Sequence, residues 1–369
     1  MSFRIPLSAP DITQAEIDAV TAVLRTPQLS LGPELPAFES ALAEYHGMPH
    51  AVAVSSGTAG LHIALLTLGI GAGDEVIVPS FAFIAVANAV LQAGASPVFA
   101  DIDPITLNLD PALVEEAITP CTRAIIVVHT FGVPAQMDLL RDLAFRHNLV
   151  ILEDACEALG ATFQNRPVGT FGHLSVFGFY PNKQLTTGEG GAVLAHSVEH
   201  AARLRSLRNQ GRSGSEWLDH TEPGFNYRLS ELACALGRVQ LTRLNEMFAM
   251  RQAAAERYLA LLAGISGLEL PPSRLPDRTI SWFVFVVRLS DLAARDHAQS
   301  ALAARGIATG RYFAPIHLQP AWQNHPNACV SLPITEAIAQ QTLALPLFNR
   351  ITNHQQNEIA NTLAEILIP

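Results

Sequence analysis

Lys183 stands in the run Phe171 to Ala192, F-G-H-L-S-V-F-G-F-Y-P-N-K-Q-L-T-T-G-E-G-G-A, between two apolar segments. Leu174 to Tyr180 is apolar enough for a buried strand, and Pro181, which has no backbone N–H, ends it. Thr186-Thr187-Gly188-Glu189-Gly190-Gly191 supplies turn chemistry before a second apolar strand, Ala192 to Ala195. A lysine in such a turn is partly desolvated. Desolvation disfavours an ammonium ion and favours the free amine that attacks an aldehyde. The same pattern also describes a solvated lysine on a hairpin, and this stretch alone leaves both readings open.

Two further segments carry chemistry. Ala51 to Val54, then Ser55-Ser56-Gly57-Thr58-Ala59-Gly60, then the helical run Leu61 to Leu68 form a strand, a small-residue turn and a helix start. Free backbone N–H groups and the positive end of the helix dipole can hold a phosphate there. Gly57 permits close approach and Thr58 adds a hydroxyl; a helix merely capped by Ser56 is the plainer reading. Asp154 comes just after the apolar segment Leu149 to Leu152, and open α/β sheets bind ligands at such carboxyl ends. A carboxylate that only caps the next turn is again the plainer alternative. The lysine comes 29 positions later (154 to 183).

Pyridoxal phosphate uses all three groups. A lysine binds its aldehyde, a helix start holds its phosphate, and a carboxylate keeps its pyridine nitrogen protonated so that the ring draws electrons. An aromatic at Phe83 can stack on the ring.

The elements that must position these residues alternate. Helices are expected from Asp11 or Thr13 to about Arg25 and from about Pro36 to His46. Beyond the phosphate turn and its helix come strand Glu75 to Val78, helix Ile84 to Ala93, strand Pro97 to Asp101, helix Ala112 to Ile118, strand Ala124 to His129 and helix Met137 to His147. The alternation predicts an α/β fold, a mostly parallel sheet with helices on both faces. Helix His200 to Leu207, a polar, mobile loop over 211–224 and helix Glu231 to Leu244 complete a large cofactor-binding domain, residues 1–245. Residues 246–369 read as a linking helix and a smaller α+β domain: strand Ser281 to Leu289, helix Leu292 to Arg305, strand Ile307 to Thr309, and helices near Ile334–Leu343 and His354–Ile366.

Composition narrows the class. The 369 residues are 49% hydrophobic and 15% charged, enough to bury a large core, and the net charge of −10 leaves no footprint for nucleic acid or an anionic membrane. Phe81 to Ala100 is apolar but is interrupted by Asn88, Gln92, Gly94 and Pro97, which fits a buried helix and strand rather than a membrane span. The N-terminus lacks an apolar signal core, so a cytoplasmic location is expected. Cys121, Cys156, Cys234 and Cys329 are far apart, and His46 and His50 flank Gly47 and Pro49, so no metal site is expected and both histidines read as surface residues. Gly69-Ile70-Gly71-Ala72-Gly73 comes after a helix and before a strand, the reverse of a dinucleotide fingerprint.

Seven segments in order carry a resemblance over nearly the whole chain: S-S-G-T-A-G-L, P-S-F-A-F-I-A, I-L-E-D-A-C-E-A-L-G-A, N-K-Q-L-T-T-G-E-G-G, G-F-N-Y-R-L-S, Y-F-A-P-I-H-L-Q-P and L-P-L-F. The chain resembles the sugar aminotransferases of the DegT/DnrJ/EryC1/StrS family, of aspartate aminotransferase-like fold type I. The resemblance implies a pyridoxal phosphate enzyme with Lys183 as Schiff-base lysine, Asp154 on the pyridine nitrogen, Phe83 on the ring and Gly57 and Thr58 on the phosphate. It implies a homodimer with shared active sites, in which Asn226 reaches the second subunit's phosphate. The acceptor expected is a nucleotide-linked keto-sugar, a 4-keto-6-deoxyhexose, with L-glutamate as donor and with Glu189, Arg228, Arg311 and His317 near the substrate. Two positions depart from the commoner pattern. Glu157 replaces Gln or His, as in the perosamine synthase-like branch, and Gly178 replaces a phosphate-binding Ser five residues before the lysine. Other readings are a cofactor-bound regulator without catalysis, or an aminotransferase for a 3-keto sugar nucleotide or keto-cyclitol. Dehydratase relatives carry His at the lysine position, which Lys183 argues against.

Overall fold

The structure, a computed structural model, describes residues 3–214 and 218–367. Of the loop expected over 211–224, residues 215–217 lie outside the described residues. In chain order, α1 (Gln14–Leu24) and α2 (Glu34–His46) precede β1 (His50–Val54), α3 (Gly57–Thr67), β2 (Glu75–Pro79), α4 (Ala85–Gln92) and β3 (Ser96–Ala100). Then come α5 (Pro111–Glu116), β4 (Thr122–Val128), α6 (Met137–His147), β5 (Val150–Asp154), the short β6 (Thr162–Phe163) and β7 (Arg166–Pro167), β8 (Leu174–Gly178) and β9 (Gly191–Ala195). After α7 (Val198–Arg208), α8 (Glu231–Thr242) and α9 (Leu244–Leu262), the chain adds β10 (Leu268–Glu269), β11 (Arg278–Thr279), β12 (Phe285–Leu289) and α10 (Leu292–Ala304). It closes with α11 (Pro333–Gln341), β13 (Thr342–Leu345) and α12 (Asn353–Leu367).

Seven strands form one sheet in the order β1-β9-β8-β5-β4-β2-β3. All run parallel except β9, which pairs antiparallel with β8 and β1. Side chains alternate between two cores with the period of two that a strand imposes. Val52, Val54, Ile126, Val176 and Val193 pack under α3, α4 and α7, while Ala53, Phe177 and Leu194 face α2 and α8. Ile77, Ile125, Val127 and Ile151 face α5 and α6. Helices therefore cover both faces, as expected from the βα alternation.

A second sheet, β10-β12-β13, is antiparallel and shares its core with α9, α10 and α12. The division expected at residue 245 is crossed by the N-terminus, because Ile5 is fully buried in this second core and bridges Ile307. Three expectations need correction here. The strand over Ile307–Thr309 is only that single bridge. The helix expected near Ile334–Leu343 is α11 but stops at Gln341, because Thr342 and Leu343 already belong to β13, the ladder partner of β12, a run too short for its periodicity to separate strand from helix. The strand expected from Ser281 begins only at Phe285, because Trp282 takes a left-handed φ of 48° that breaks the extension. The hairpin β6-β7 and its partner β11 had no signal in the sequence.

His46, expected at the surface, is buried against Phe177 and its Nδ1 donates to the Leu42 carbonyl at 2.9 Å. Burial pushes its imidazole down to about 4, so the ring is neutral at pH 7.

Candidate active site

The carboxyl ends of β1, β2, β4, β5 and β8 lie at one end of the large sheet, beside the start of β9. There they surround a cavity of about 470 Å³ lined by Ser56, Gly57, Thr58, Phe83, Asp154, Cys156, Glu157, Gly178, Asn182, Lys183, Glu189, Phe283, Tyr312 and Phe313, among others. A crevice outside the strand ends is where an open α/β sheet places its ligand, because the loops there leave two neighbouring helices on opposite faces.

Lys183 is carried in the connection between β8 and β9, as the turn residues predict. Phe179 closes that connection: its N–H donates to the Gly190 carbonyl at 2.9 Å, and its own carbonyl accepts the Thr187 N–H and the Thr186 hydroxyl, each at 3.0 Å. The Lys183 amine lies 3.6 Å from Glu157 Oε1 and 4.1 Å from the centroid of the Phe283 ring. Its side chain is only 15% exposed, so the solvated-hairpin reading does not hold.

Arg251 steadies both ends of that contact. From α9, its buried guanidinium donates to the carbonyls of Trp282 and Phe283, each at 3.2 Å, and to the Lys183 carbonyl at 3.4 Å. Burial pushes it down to about 10, still a cation at neutral pH. Gln184 adds a second tie, donating to the Glu157 carbonyl at 2.6 Å and to the Ser281 hydroxyl at 2.9 Å.

Asp154 is the last residue of β5 and is buried, with Oδ1 accepting the Cys156 N–H at 3.1 Å. Its neighbour Glu153 points to the other face of the strand and is fully buried. Glu153 accepts N–H groups from Gly169, Phe171 and Gly172 at 2.6 to 2.8 Å, and the Nε2–H of His129 at 3.0 Å. His129 Nδ1 accepts from Ala135 N–H, which places the ring proton on Nε2. Burial alone would raise the Glu153 carboxyl; His129 and the loop amides outweigh it and hold the group below its usual range. The end of β5 is thereby tied to two loops.

Glu157 shows the opposite balance. Burial pushes its carboxyl up, and neither Lys183 nor the Phe131 N–H at 3.0 Å fully offsets that. A glutamate is accommodated at this position by the Phe131 N–H and by Lys183 beside it.

One end of the cavity lies at the start of α3. Ser56 Oγ accepts the Ala59 N–H at 3.0 Å, so the capping reading is correct as well, and the N–H groups of Gly57 and Thr58 head the helix. Cys156 sits directly beneath. A Cβ on Gly57 would come 2.8 Å from its Sγ, and a Cβ on Gly178 would lie 3.3 Å from both its Cβ and Sγ. Gly178 therefore stands where it does because Cys156 fills the space beside it, and a serine there would press on the thiol. Burial, then Asp154, push that thiol well up, so the sulfur is protonated.

The structure thus brings together Gly57, Thr58, Phe83, Asp154, Glu157, Gly178, Lys183 and Glu189. It does not bring in four others. Arg311 points away, bonded to Asp296 at 3.0 Å and Gln299 at 2.7 Å on α10. His317 is buried, with Nδ1 2.7 Å from the Ser80 hydroxyl and Nε2 3.4 Å from Glu336, so it anchors its loop to the end of β2. That loop does line the cavity, but with Tyr312 and Phe313 instead. Asn226 and Arg228 lie on a segment outside this cavity, Asn226 bridging Asn209 and Arg228 donating to the Asn209 side chain at 2.9 Å. Cys156, Asn182 and Phe283 were not anticipated; only Asn182, adjacent to the lysine in its turn, had a local signal.

The profile of the DegT/DnrJ/EryC1/StrS aminotransferase family matches residues 10–364. The chain belongs to that family. This aminotransferase is 43% identical over 369 residues to a Streptomyces venezuelae protein named dTDP-3-amino-3,4,6-trideoxy-alpha-D-glucose transaminase, covering 98% of this chain and 96% of that one. It is 38% identical to GDP-perosamine synthase of Caulobacter vibrioides, covering 99% of each. Its fold is similar to that of S. venezuelae DesV solved in complex with a ketimine intermediate, with a TM-score of 0.92 at 41% identity over 99% of this chain and 98% of that one. Among the described residues, no helix of the aminotransferase is long and apolar enough to cross a membrane, and no group of three or more His, Cys, Asp or Glu side chains could hold a metal ion.

Proposed function

We propose that this aminotransferase moves an amino group from L-glutamate to the keto carbon of a nucleotide-linked sugar, with pyridoxal phosphate held in the 470 Å³ cavity. The observation that carries the reading is the half-buried Lys183 amine, fixed between Glu157 and the Phe283 ring in a cavity that also presents Asp154 and a helix start. The cofactor fits the residues present: the helix start at Gly57 and Thr58, the carboxylate of Asp154 and the Lys183 amine all line one cavity. Bound there, pyridoxal phosphate supplies an aldehyde carbon and a protonated ring that withdraws electrons from the bond being broken.

The chain's own residues do the rest. The start of α3 and the Thr58 hydroxyl hold the phosphate. Asp154 keeps the ring nitrogen protonated, and Phe83, 63% exposed into the cavity, covers the ring face. Lys183 Nζ would carry the proton from the donor's α-carbon to the cofactor's aldehyde carbon, on the other side of the shared nitrogen, as general base and then general acid. Glu157, whose carboxyl burial pushes up from its usual range, would stand beside the ring's phenolic oxygen. Asn226 and Arg228, which lie outside this cavity, would serve the cavity of a second copy, so the working unit is a homodimer with two shared sites. Glu189, at the cavity rim, contacts the acceptor.

Both named relatives act, by their names, on nucleotide-linked sugars, which supports the acceptor class. Glu157 favours a 4-keto-6-deoxyhexose, while the 43%-identical relative is named for a 3-amino sugar and favours a 3-keto acceptor. The test is amination by glutamate of a panel of 3-keto and 4-keto sugar nucleotides and free keto-cyclitols, with the position of the new amine assigned by NMR. Turnover of a sugar nucleotide at the 4-position is expected. Preference for a free cyclitol would refute the nucleotide-sugar reading, and amination at the 3-position would refute only the positional one.

A further inference from the structure

At the opposite end of the large sheet, where β5 and β8 begin and β9 ends, lies an open cleft of about 600 Å³. It is separated from the active site by the length of five-residue strands, roughly 15 Å at about 3.3 Å per residue. Five basic side chains line it: Arg141 from α6, Arg166 from β7, His173 at the entry to β8, His196 after β9 and His200 in α7. Among the described residues, none that lines it is acidic, although the chain as a whole carries a net charge of −10. Of the nearby carboxylates, Asp142 pairs with Arg146 at 3.1 Å, and Glu199 is held by Ser197 and its own backbone N–H while it also acts on His200 from outside the cleft.

The donors are oriented. Arg166 is braced across the Phe171 ring at 4.4 Å and by the Thr170 carbonyl at 3.0 Å, which fixes its guanidinium at the cleft wall. His173 Nδ1 accepts the Ile151 N–H at 3.0 Å, so its Nε2 carries the proton and is a donor even when the ring is neutral. Burial pushes that ring down, and the positive fields of His200, His196 and Arg141 push the same way. Basic groups gathered in this way repel one another when charged, and an anion among them removes that repulsion. The volume lies within the range of about 300 to 1,000 Å³ of small-molecule sites and exceeds what one phosphate fills. Donors on five separate segments suit an extended anion better than a compact one.

We propose that this cleft is a second ligand site of the enzyme, binding a diphosphate-bearing small molecule remote from the reacting atoms. The test uses the holoenzyme, whose own phosphate cradle is filled, titrated with inorganic pyrophosphate and with orthophosphate by calorimetry. Pyrophosphate is expected to bind the wild type at least tenfold more tightly than orthophosphate and to shift the ring resonances of His173 and His200. The variant Arg141→Ala/His196→Ala/His200→Ala, altered at side chains that do not touch the cavity of the reaction, is expected to lose at least tenfold in pyrophosphate affinity with its amination rate unchanged. Equal pyrophosphate affinity in the two proteins would overturn the proposal, as would orthophosphate binding as tightly or histidine resonances that stay in place at saturation.

Discussion

Adding one methyl group at Gly57 tests the cradle atom by atom. In Gly57→Ala the new Cβ would stand 2.8 Å from Cys156 Sγ, about 0.6 Å inside the 3.4 Å at which ordinary contact begins. Either the thiol or the start of α3 must move, and overpacking of this kind costs about 1–3 kcal/mol. Because the helix start heads the phosphate cradle, that cost is expected in cofactor affinity, as a loss of about tenfold to a hundredfold at roughly 1.4 kcal/mol per decade. Cys156→Ala removes the obstructing atom. The next neighbour of the new methyl would then be Gly178 Cα at 3.5 Å, an ordinary contact. The double variant is therefore expected to bind pyridoxal phosphate within about threefold of Cys156→Ala alone, a coupling of at least about 0.7 kcal/mol in the double-mutant cycle. Gly191→Ala is the control, because its Cβ would meet only backbone, the Phe177 carbonyl at 2.7 Å and Gly57 N and Ser56 C at 2.8 Å, so removing the thiol cannot relieve it. The assay is an absorbance titration of cofactor-free protein, with urea midpoints recorded in parallel. Additive effects of Gly57→Ala and Cys156→Ala, or rescue of Gly191→Ala by Cys156→Ala, would refute the steric account.

Two other outcomes are expected. Glu157 has a folded-state carboxyl raised above its ordinary 4.5, so the folded protein holds that proton to higher pH than the unfolded chain does, and stability falls as pH rises through the folded value. In cofactor-free protein Glu157→Gln, whose side-chain oxygen can still accept the Phe131 N–H, should flatten that dependence, which has a limiting slope of about 1.4 kcal/mol per pH unit for one proton; parallel urea-midpoint profiles for variant and wild type above pH 4.5 would contradict it. Lys183→Ala and Asn226→Asp should each be inactive alone, yet mixed subunits should regain about one intact site per heterodimer if Asn226 serves the partner's cavity. Heterodimers that form but stay inactive would remove Asn226 from the site.

The features of this protein whose signals are local can be read from the chain alone. Two apolar runs of strand length around T-T-G-E-G-G place Lys183 in a turn between β8 and β9, and small residues before an apolar helical run place Ser56 to Thr58 at the head of α3. Both come from backbone chemistry within a dozen residues. The alternation of runs likewise specifies a mostly parallel sheet with helices on both faces. Folding in three dimensions settled what those residues touch. Cys156 meets Gly57 and Gly178, Arg251 reaches the carbonyls of Lys183 and Phe283, and Glu153 gathers amides from the loop at residues 169–172. Such contacts join residues distant in the chain and leave no periodicity to read. Charge misled for the same reason: Arg311 and His317 are the residue types a diphosphate needs, but Asp296 and Ser80 were nearer, and the pocket took the aromatic pair Tyr312 and Phe313 from between them. A side chain's type sets what it can bind, whereas the packing of the strands and loops around it selects which partner it meets.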